Sequence, residues 1–290
     1  MKKFFLIALF LLNTGFVFCR TDDTLKVMTF NIRCQSGEKE DDINYWESRK
    51  YLIAGLIVQY SPDIIGIQEA EKRQIDDLEV LLDGYKWFGV GRENGKEEGE
   101  YSVIFYDSSK FSVQWDSTIW LSPTPGKPSL GWDAMFKRIV TFGLFQTKAD
   151  GNEFYFFNTH FDHKGDTARI ESAKLLVKKV SEVPVYYPVL VTGDFNSTSS
   201  SEPYKIITEA KSSNDFPLLS DAQFISVMPH FGGNNSFNGF GKTEEPDRKI
   251  DFIFVSDKVT VDSHGIITDK FNGLFPSDHF PVWAEIVIGN

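Results

Sequence analysis

The 290-residue chain is 41% hydrophobic, enough to bury a sizeable core, and carries a formal charge of −11. That acidity excludes the broad basic footprint needed to neutralise long nucleic acid, and makes cations the natural partners. Surface acidity is also an ordinary solubility device of exported proteins.

Lys2 and Lys3 precede an apolar run from Phe4 to Leu12, followed by smaller or polar residues. The run is too short for a membrane span and reads as a secretory signal over residues 1–19. The rest of the chain is therefore expected to be exported: periplasmic, secreted or lipid-anchored at the cell surface. Cys19 stands where a lipoprotein signal would place its acylated cysteine, although Phe18 before it is larger than the residue expected there. Cys34 is the other cysteine, so a disulfide framework within the mature chain is excluded.

Strand-like runs rich in Val, Ile and aromatics follow at 25–32, 63–69, 101–107, 111–121, 138–147, 153–161, 188–195, 248–255 and 280–288. Helical periodicity predicts helices over 46–59, 70–82, 167–183 and 203–210. No tandem repeat or long linker divides the chain, which predicts a single domain over 20–290. The irregular stretches 91–100, 122–136 and 231–249 are long enough to be loops over a site.

Polar residues recur where these strands end: Asn31, Glu69, His160, Asp162, Asp194, Asn196, Asp251, Asp278 and His279. Any one of them alone reads as a cap or a structural group. Together, always acid, amide or imidazole and never lysine, they point to a crevice at the carboxyl ends of a sheet. Extended spacing predicts Asp194 and Asn196 on one face of their strand, with Phe195 turned the other way. Glu69, Asp194, Asp251 and Asp278 cannot all be ionised in one cleft without a counter-charge. Oxygen ligands suit Mg²⁺ or Mn²⁺, and a hard cation beside carboxylates and imidazoles fits hydrolysis of a phosphate ester.

Taken in order, TFNIR, IQE, NTHFDH, GDFN, KIDFIF and SDHFPV resemble the recurring blocks of the endonuclease/exonuclease/phosphatase superfamily, over residues 25–288. GEYSVIFYD, IWLSPTP, PSLGWDAMFKR and THFDHKGDTARIESA resemble an exported bacterial branch of it, related to deadenylase- and nocturnin-like members. The resemblance implies an α/β fold: a four-layer α/β/β/α sandwich with two mixed β-sheets packed face to face. It makes Glu69 the principal metal ligand, with Asn31 and Asp278 contributing directly or through water. Asp194 then activates the attacking water and Asn196 bonds the phosphoryl group. His279, oriented by Asp251, polarises or protonates a phosphate oxygen, and His160 lies on the leaving-group side.

Asn31, Asp162, Arg169 and Arg138 are the candidate substrate contacts, an arginine offering a bidentate clamp, while Asp162, Arg169 and Arg138 read equally as structural ion pairs. Arg33 stands where some nuclease relatives have an acid, which weakens transfer of a two-metal or DNA-specific mechanism. Tyr101 reads as core, and Trp120 and Trp132 as packing residues that could instead stack on a base or sugar.

The expected activity is metal-dependent hydrolysis of phosphate esters, phosphodiesterase or phosphatase, by in-line attack of water. The expected substrates are a phosphorylated small molecule, a nucleotide or a lipid headgroup. A nuclease on short or single-stranded nucleic acid, a glycoside hydrolase built on paired carboxylates and an inactive ligand-binding protein are the alternatives.

Overall fold

Most strands carry apolar side chains at both parities, a pattern that requires cover on both faces of a sheet. In the computed structural model, which describes residues 24–39, 42–212, 215, 217–243 and 248–289, that cover is supplied by a second sheet on one face and helices on the other. The signal-like stretch 1–19, with Cys19 and the export expected from it, lies outside the described residues.

In chain order the elements are β1 (Thr24–Asn31), α1 (Trp46–Tyr60), β2 (Ile64–Gln68), α2 (Lys72–Leu81), β3 (Tyr85–Phe88), β4 (Ser102–Asp107) and β5 (Phe111–Trp120). Then come β6 (Ile139–Thr147), β7 (Glu153–His160), α3 (Asp166–Ser181), β8 (Val189–Asp194), α4 (Glu202–Glu209) and β9 (Ser220–Asp221). The chain closes with α5 (Ala222–Ile225), β10 (Asp251–Val255), β11 (Val259–Ile266) and β12 (Val282–Ile288).

One six-stranded sheet has the order β11-β12-β1-β2-β4-β3 and the other β5-β6-β7-β8-β10-β9. Each contains one parallel pair joined through a helix, β1 and β2 through α1, β7 and β8 through α3; the other pairs are antiparallel. Val27, Ile64, Ile104, Phe156, Leu190 and Ile253 meet between the sheets. Met28, Ile65 and Phe105 face the helix side with Ile53 and Leu78, while Phe157, Val191 and Phe254 do so with Leu176 and Ile207. Each such large apolar side chain, fully buried, contributes about 1.5–3 kcal/mol relative to exposure.

The four predicted helices, α1 to α4, start and stop within two residues of their predicted ends, and the one-turn α5 was not predicted. Ser61 at φ 45° closes α1 in the left-handed region, and Glu71 and Gln74 form a reciprocal capping box on α2. Three strands escaped the sequence pattern. β3 and β9 are short, and β11 carries a register shift between Val261 and Ser263 that interrupts its alternation.

Candidate active site

Along the inner faces of both sheets the strands turn from apolar to polar toward one end. β1 runs Val27, Thr29, Asn31 and β8 runs Leu190, Thr192, Asp194. A hydrogen-bonded layer separates the apolar core from that end. Gln68 Nε2 donates to Thr29 Oγ1 at 2.9 Å and to Asn158 Oδ1 at 2.6 Å, and Thr192 Oγ1 donates to Asn158 Oδ1 at 3.2 Å. Asn158 Nδ2 donates to the carbonyls of Ile67 and Val103, both at 2.9 Å. Gly66 lets the sheets approach here, since a Cβ would lie 2.2 Å from Thr192 Oγ1.

Past this layer three strands end in the same way. Arg33 after β1, Glu69 after β2 and Asn196 after β8 have φ of 62°, 64° and 45°. This left-handed conformation costs a non-glycine residue about 1–3 kcal/mol and is retained where neighbours enforce it. Here the enforcing contacts are within the site. Arg33 N donates to Asn31 Oδ1 at 3.0 Å, Cys34 N to Glu69 Oε2 at 3.0 Å, and Asn196 N to Asp194 Oδ1 at 2.9 Å. The expectation that Asp194 and Asn196 share one face of an extended strand is thereby corrected. β8 ends at Asp194, and a tight turn carries the Asn196 amide to His160 Nε2 at 3.0 Å and the Phe161 carbonyl at 3.0 Å.

The two parallel pairs meet across the layer. Asn31 Nδ2 donates to Glu69 Oε1 and to Asp194 Oδ2, each at 3.0 Å, tying the sheets together through their carboxylates. His160 and Asp194 are paired in register at the ends of β7 and β8, with Nε2 to Oδ2 at 3.4 Å. Asp251, opposite Asp194 in the antiparallel β8–β10 register, accepts from His279 Nδ1 at 2.9 Å, and His279 Nε2 lies 3.7 Å from Asp194 Oδ2. Ser236 Oγ accepts from the backbone N of Asp251 at 3.1 Å, fixing the start of β10.

These surroundings set different protonation states. For Glu69, burial would raise the pKa, but the Asn31 hydrogen bond, the His279 charge and the Cys34 N–H together lower it. Asp194 is pushed up to about 7 by burial and by Asp251, against the pull of His279 and two hydrogen bonds. His279 rises to about 10, because the Asp251 carboxylate, with Asp194 and Asp278, outweighs its desolvation. His160 is held well below the usual imidazole range by burial and by the Arg138 and Arg92 charges. It is neutral, and with Nε2 accepting from Asn196 its proton sits on Nδ1. His279 is an imidazolium at neutral pH.

A cavity of about 600 Å³ opens over this cluster, bordered by Arg33, Glu69, His160, Asp194, Asn196 and His279 among others. Asp278 also lines it, and Asn31 and Asp251 are buried beside it. As oriented, Asn31 presents N–H groups to both carboxylates and braces them, and its Oδ1 accepts from Arg33 N. Asp278 belongs to neither compact ligand cluster: its Oδ2 accepts from Arg33 Nη1 at 3.2 Å and its Oδ1 from Ser277 Oγ at 3.3 Å.

Asp162 and Arg169 do not line the cavity, contrary to their expected role as substrate contacts. Asp162 accepts from the backbone N of Lys164, Gly165, Met135 and Phe136 and from Arg138 Nε, which leaves a ligand no free lone pair. Burial alone would raise its pKa, but those bonds hold it at about 2. Arg169 is spent on the Asp162 carbonyl and the Asp166 carboxylate.

Arg138 does line the cavity and donates through Nη2 to His163 Nδ1 at 3.1 Å. Tyr101 is core and bonds the Lys96 carbonyl, while Trp120 Nε1 donates to the Arg92 carbonyl at 2.7 Å, a bracing role. Arg92, Glu100, Phe136, His163 and Phe237 complete the wall and were not singled out by sequence. For all but His163, which lies in the short connection between β7 and α3, the signal was the length of the loops that carry them. The 122–136 loop is anchored by Asp133, whose carboxylate accepts from Ala168 N at 2.6 Å at the start of α3.

Two groups of side chains place ligand atoms within 4.8 Å of one another: Glu69, His160 and Asp194, and Asp194, Asp251 and His279. The second contains an imidazolium already committed to Asp251. The first offers the Glu69 and Asp194 carboxylates, His160 Nε2 being taken by Asn196, and oxygen donors fit a hard divalent cation. Burial and Asp251 leave the Asp194 pKa raised despite His279, so a cation bound there would favour its ionised form.

A family model described as Endonuclease/Exonuclease/phosphatase family matches residues 28–279. The chain is 37% identical to an endonuclease/exonuclease/phosphatase from Bacteroides vulgatus, with a TM-score of 0.85 over 91% of this chain and 99% of that one. It is 36% identical to a mannosyl-6-phosphatase from Bacteroides thetaiotaomicron, with a TM-score of 0.84 over 91% of this chain and 100% of that one. It is also 21% identical to the CCR4-Not complex 3'-5'-exoribonuclease subunit Ccr4 of Saccharomyces cerevisiae, over 90% of this chain but 38% of that protein.

Proposed function

The chain belongs to the endonuclease/exonuclease/phosphatase family, whose members hydrolyse phosphate esters, and we propose that it is a Mg²⁺- or Mn²⁺-dependent hydrolase of a phosphorylated small molecule. The observation that carries this reading is the single Asn31 amide shared by Glu69 and Asp194, with the Asp251–His279 pair against Asp194. A divalent cation held by Glu69, with Asp194 beside it, would polarise a phosphoryl oxygen and offset its charge. Asp194, once ionised, orients water and accepts its proton. His279, kept cationic by Asp251, donates through Nε2 to a non-bridging phosphate oxygen. Asn196 fixes the neutral His160, whose Nδ1–H has no partner among the described residues and is left for the leaving-group side.

The similarity to a mannosyl-6-phosphatase supports a sugar phosphate as the substrate class. The charge of −11 disfavours long nucleic acid. The cavity aromatics also leave little room for base stacking, since Phe136 already carries Arg92 at 4.9 Å and Phe237 carries Arg248 at 4.6 Å. Lys2, Lys3 and the apolar run after them support action outside the cytoplasm. No helix among the described residues is long and apolar enough to cross a membrane.

The test is phosphate release from sugar phosphates, nucleotides, phospholipid headgroups and oligonucleotides, with Mg²⁺, Mn²⁺ or chelator. Wild type should be active on at least one small ester only with metal, and Asp194→Ala should be inactive. Activity that survives chelation would overturn the reading.

A further inference from the structure

We propose that Arg33 is a specificity-determining residue that selects phosphate monoesters over diesters by binding the third terminal oxygen of a dianionic phosphoryl group. The inference rests on reading the cavity as a phosphate-ester site.

Arg33 is held from several directions. Its N–H donates to Asn31 Oδ1, and its carbonyl accepts from Gln74 Nε2 at 2.9 Å and from Arg49 Nη2 at 3.4 Å. The backbone is left-handed at φ 62°, a conformation that an arginine adopts only when held there. Its side chain borders the same cavity as Glu69 and His279. Asp278 is its only side-chain partner among the described residues, through Nη1 at 3.2 Å. Most of its five N–H donors are therefore available.

The other arginines of the wall are less available. The Arg92 and Arg138 side chains are 8% and 4% exposed against 46% for Arg33. Arg92 forks onto Glu100 at 2.6 and 2.9 Å, and Arg138 reaches Asp162 and His163. Arg33 is thus a half-exposed guanidinium bonded to Asp278 at the cavity wall, with Arg248, also partly exposed, held over the Phe237 ring.

Chemistry gives that guanidinium a specific task. A diester has two non-bridging oxygens, which a cation at Glu69 and the His279 Nε2–H would satisfy, since both Asn196 amide N–H groups are taken by His160 and the Phe161 carbonyl. A monoester has three terminal oxygens and one more negative charge, so it needs a further permanent donor. An arginine supplies it in a planar fork suited to phosphate. Asp278 then acts on substrate through Arg33: it turns the guanidinium inward, consistent with its absence from the compact ligand clusters.

The experiment compares nitrophenyl phosphate with bis-nitrophenyl phosphate in saturating Mn²⁺, for wild type, Arg33→Ala and Arg33→Lys, with inorganic phosphate as competitive inhibitor. In Arg33→Ala the monoester-to-diester ratio of kcat/KM should fall about 10- to 100-fold, the worth of a charge-assisted hydrogen bond. The inhibition constant of phosphate should rise by a similar factor. Arg33→Lys should recover part of both, and added guanidinium ion should raise the monoester rate of Arg33→Ala. An unchanged ratio, or unchanged phosphate inhibition, in a variant with wild-type thermal stability would overturn the proposal. A wild type inactive on both esters with every metal would instead overturn the functional reading beneath it.

Discussion

Glu69 and Asp194 stand at corresponding places in the two strand–helix–strand units, just after β2 and at the end of β8, and one amide donates to both. Their surroundings drive them apart. Glu69 collects N–H donors from Asn31 and Cys34 and is lowered, so it is a standing charge. Asp194 faces Asp251 across the β8–β10 register and is pushed up to about 7, so it can take and release a proton near neutrality. A doubled topology has thus been given unlike ends: one anchors a cation and the other handles protons.

The strongest test of that division is a pair of isosteric substitutions. Asp194→Asn should lower kcat by about 10³-fold, within the range of a lost general base. It should raise the Mn²⁺ concentration for half-maximal rate far less than Glu69→Gln does. Glu69→Gln should instead shift that concentration by at least the roughly tenfold that losing an outer-shell partner costs. Part of the rate should return at high metal. If both variants move kcat and the metal requirement alike, the two carboxylates are equivalent ligands and the division fails.

A smaller effect is expected where the two units are joined. Asn158 stands between Gln68, Thr192 and the carbonyls of Ile67 and Val103, within a layer fully removed from solvent. Asn158→Ala would leave these groups short of partners and should cost about 3 kcal/mol in urea unfolding. The pH dependence of the rate should not change, because Asn158 touches neither Glu69 nor Asp194. A shift in that pH dependence would make the layer part of the proton-handling side.

The sequence carried the layers and the strand-end acids because they are written locally, as alternation, turn residues and polar groups after apolar runs. Asn31, His160, Asp194 and His279 could be named for that reason. The sequence could not show that Asn31 would turn its N–H groups to two carboxylates, nor that Asp278 would face Arg33. Both depend on contacts across more than 150 positions, such as Asn31 with Asp194 and Arg33 with Asp278. Asp162 misled because a strand-end acid looks the same whether it meets ligand or four backbone N–H groups. The wall made by Arg92, Glu100 and Phe136 was visible only as long loops, whose approach to the cavity is set by tertiary contacts such as Trp120 with Arg92.

The least perturbing test of the comparison uses pH and stability in metal-free protein. Asp194 has a folded pKa of about 7, above its ordinary 3.8, so folding favours its protonated form. That contribution is fully present below the unfolded value and is lost as pH rises through about 7. Glu69 has the opposite sign. Its folded pKa is lowered, so its contribution is present above the unfolded value of 4.5 and is lost as pH falls through the lower folded one. The melting temperature of chelated protein should therefore decline on the neutral side through Asp194 together with Glu100, which burial likewise raises to about 7, and on the acid side through Glu69. Asp194→Asn should lessen the neutral-side decline, whereas Glu69→Gln should flatten the acid-side one. Added Mn²⁺ should lessen the neutral-side decline in wild type, since a cation favours the ionised carboxylate and binds the folded state. A neutral-side decline that persists undiminished in Asp194→Asn would show that another group governs it, and Asp194 would lose its place as the proton-handling partner of Glu69.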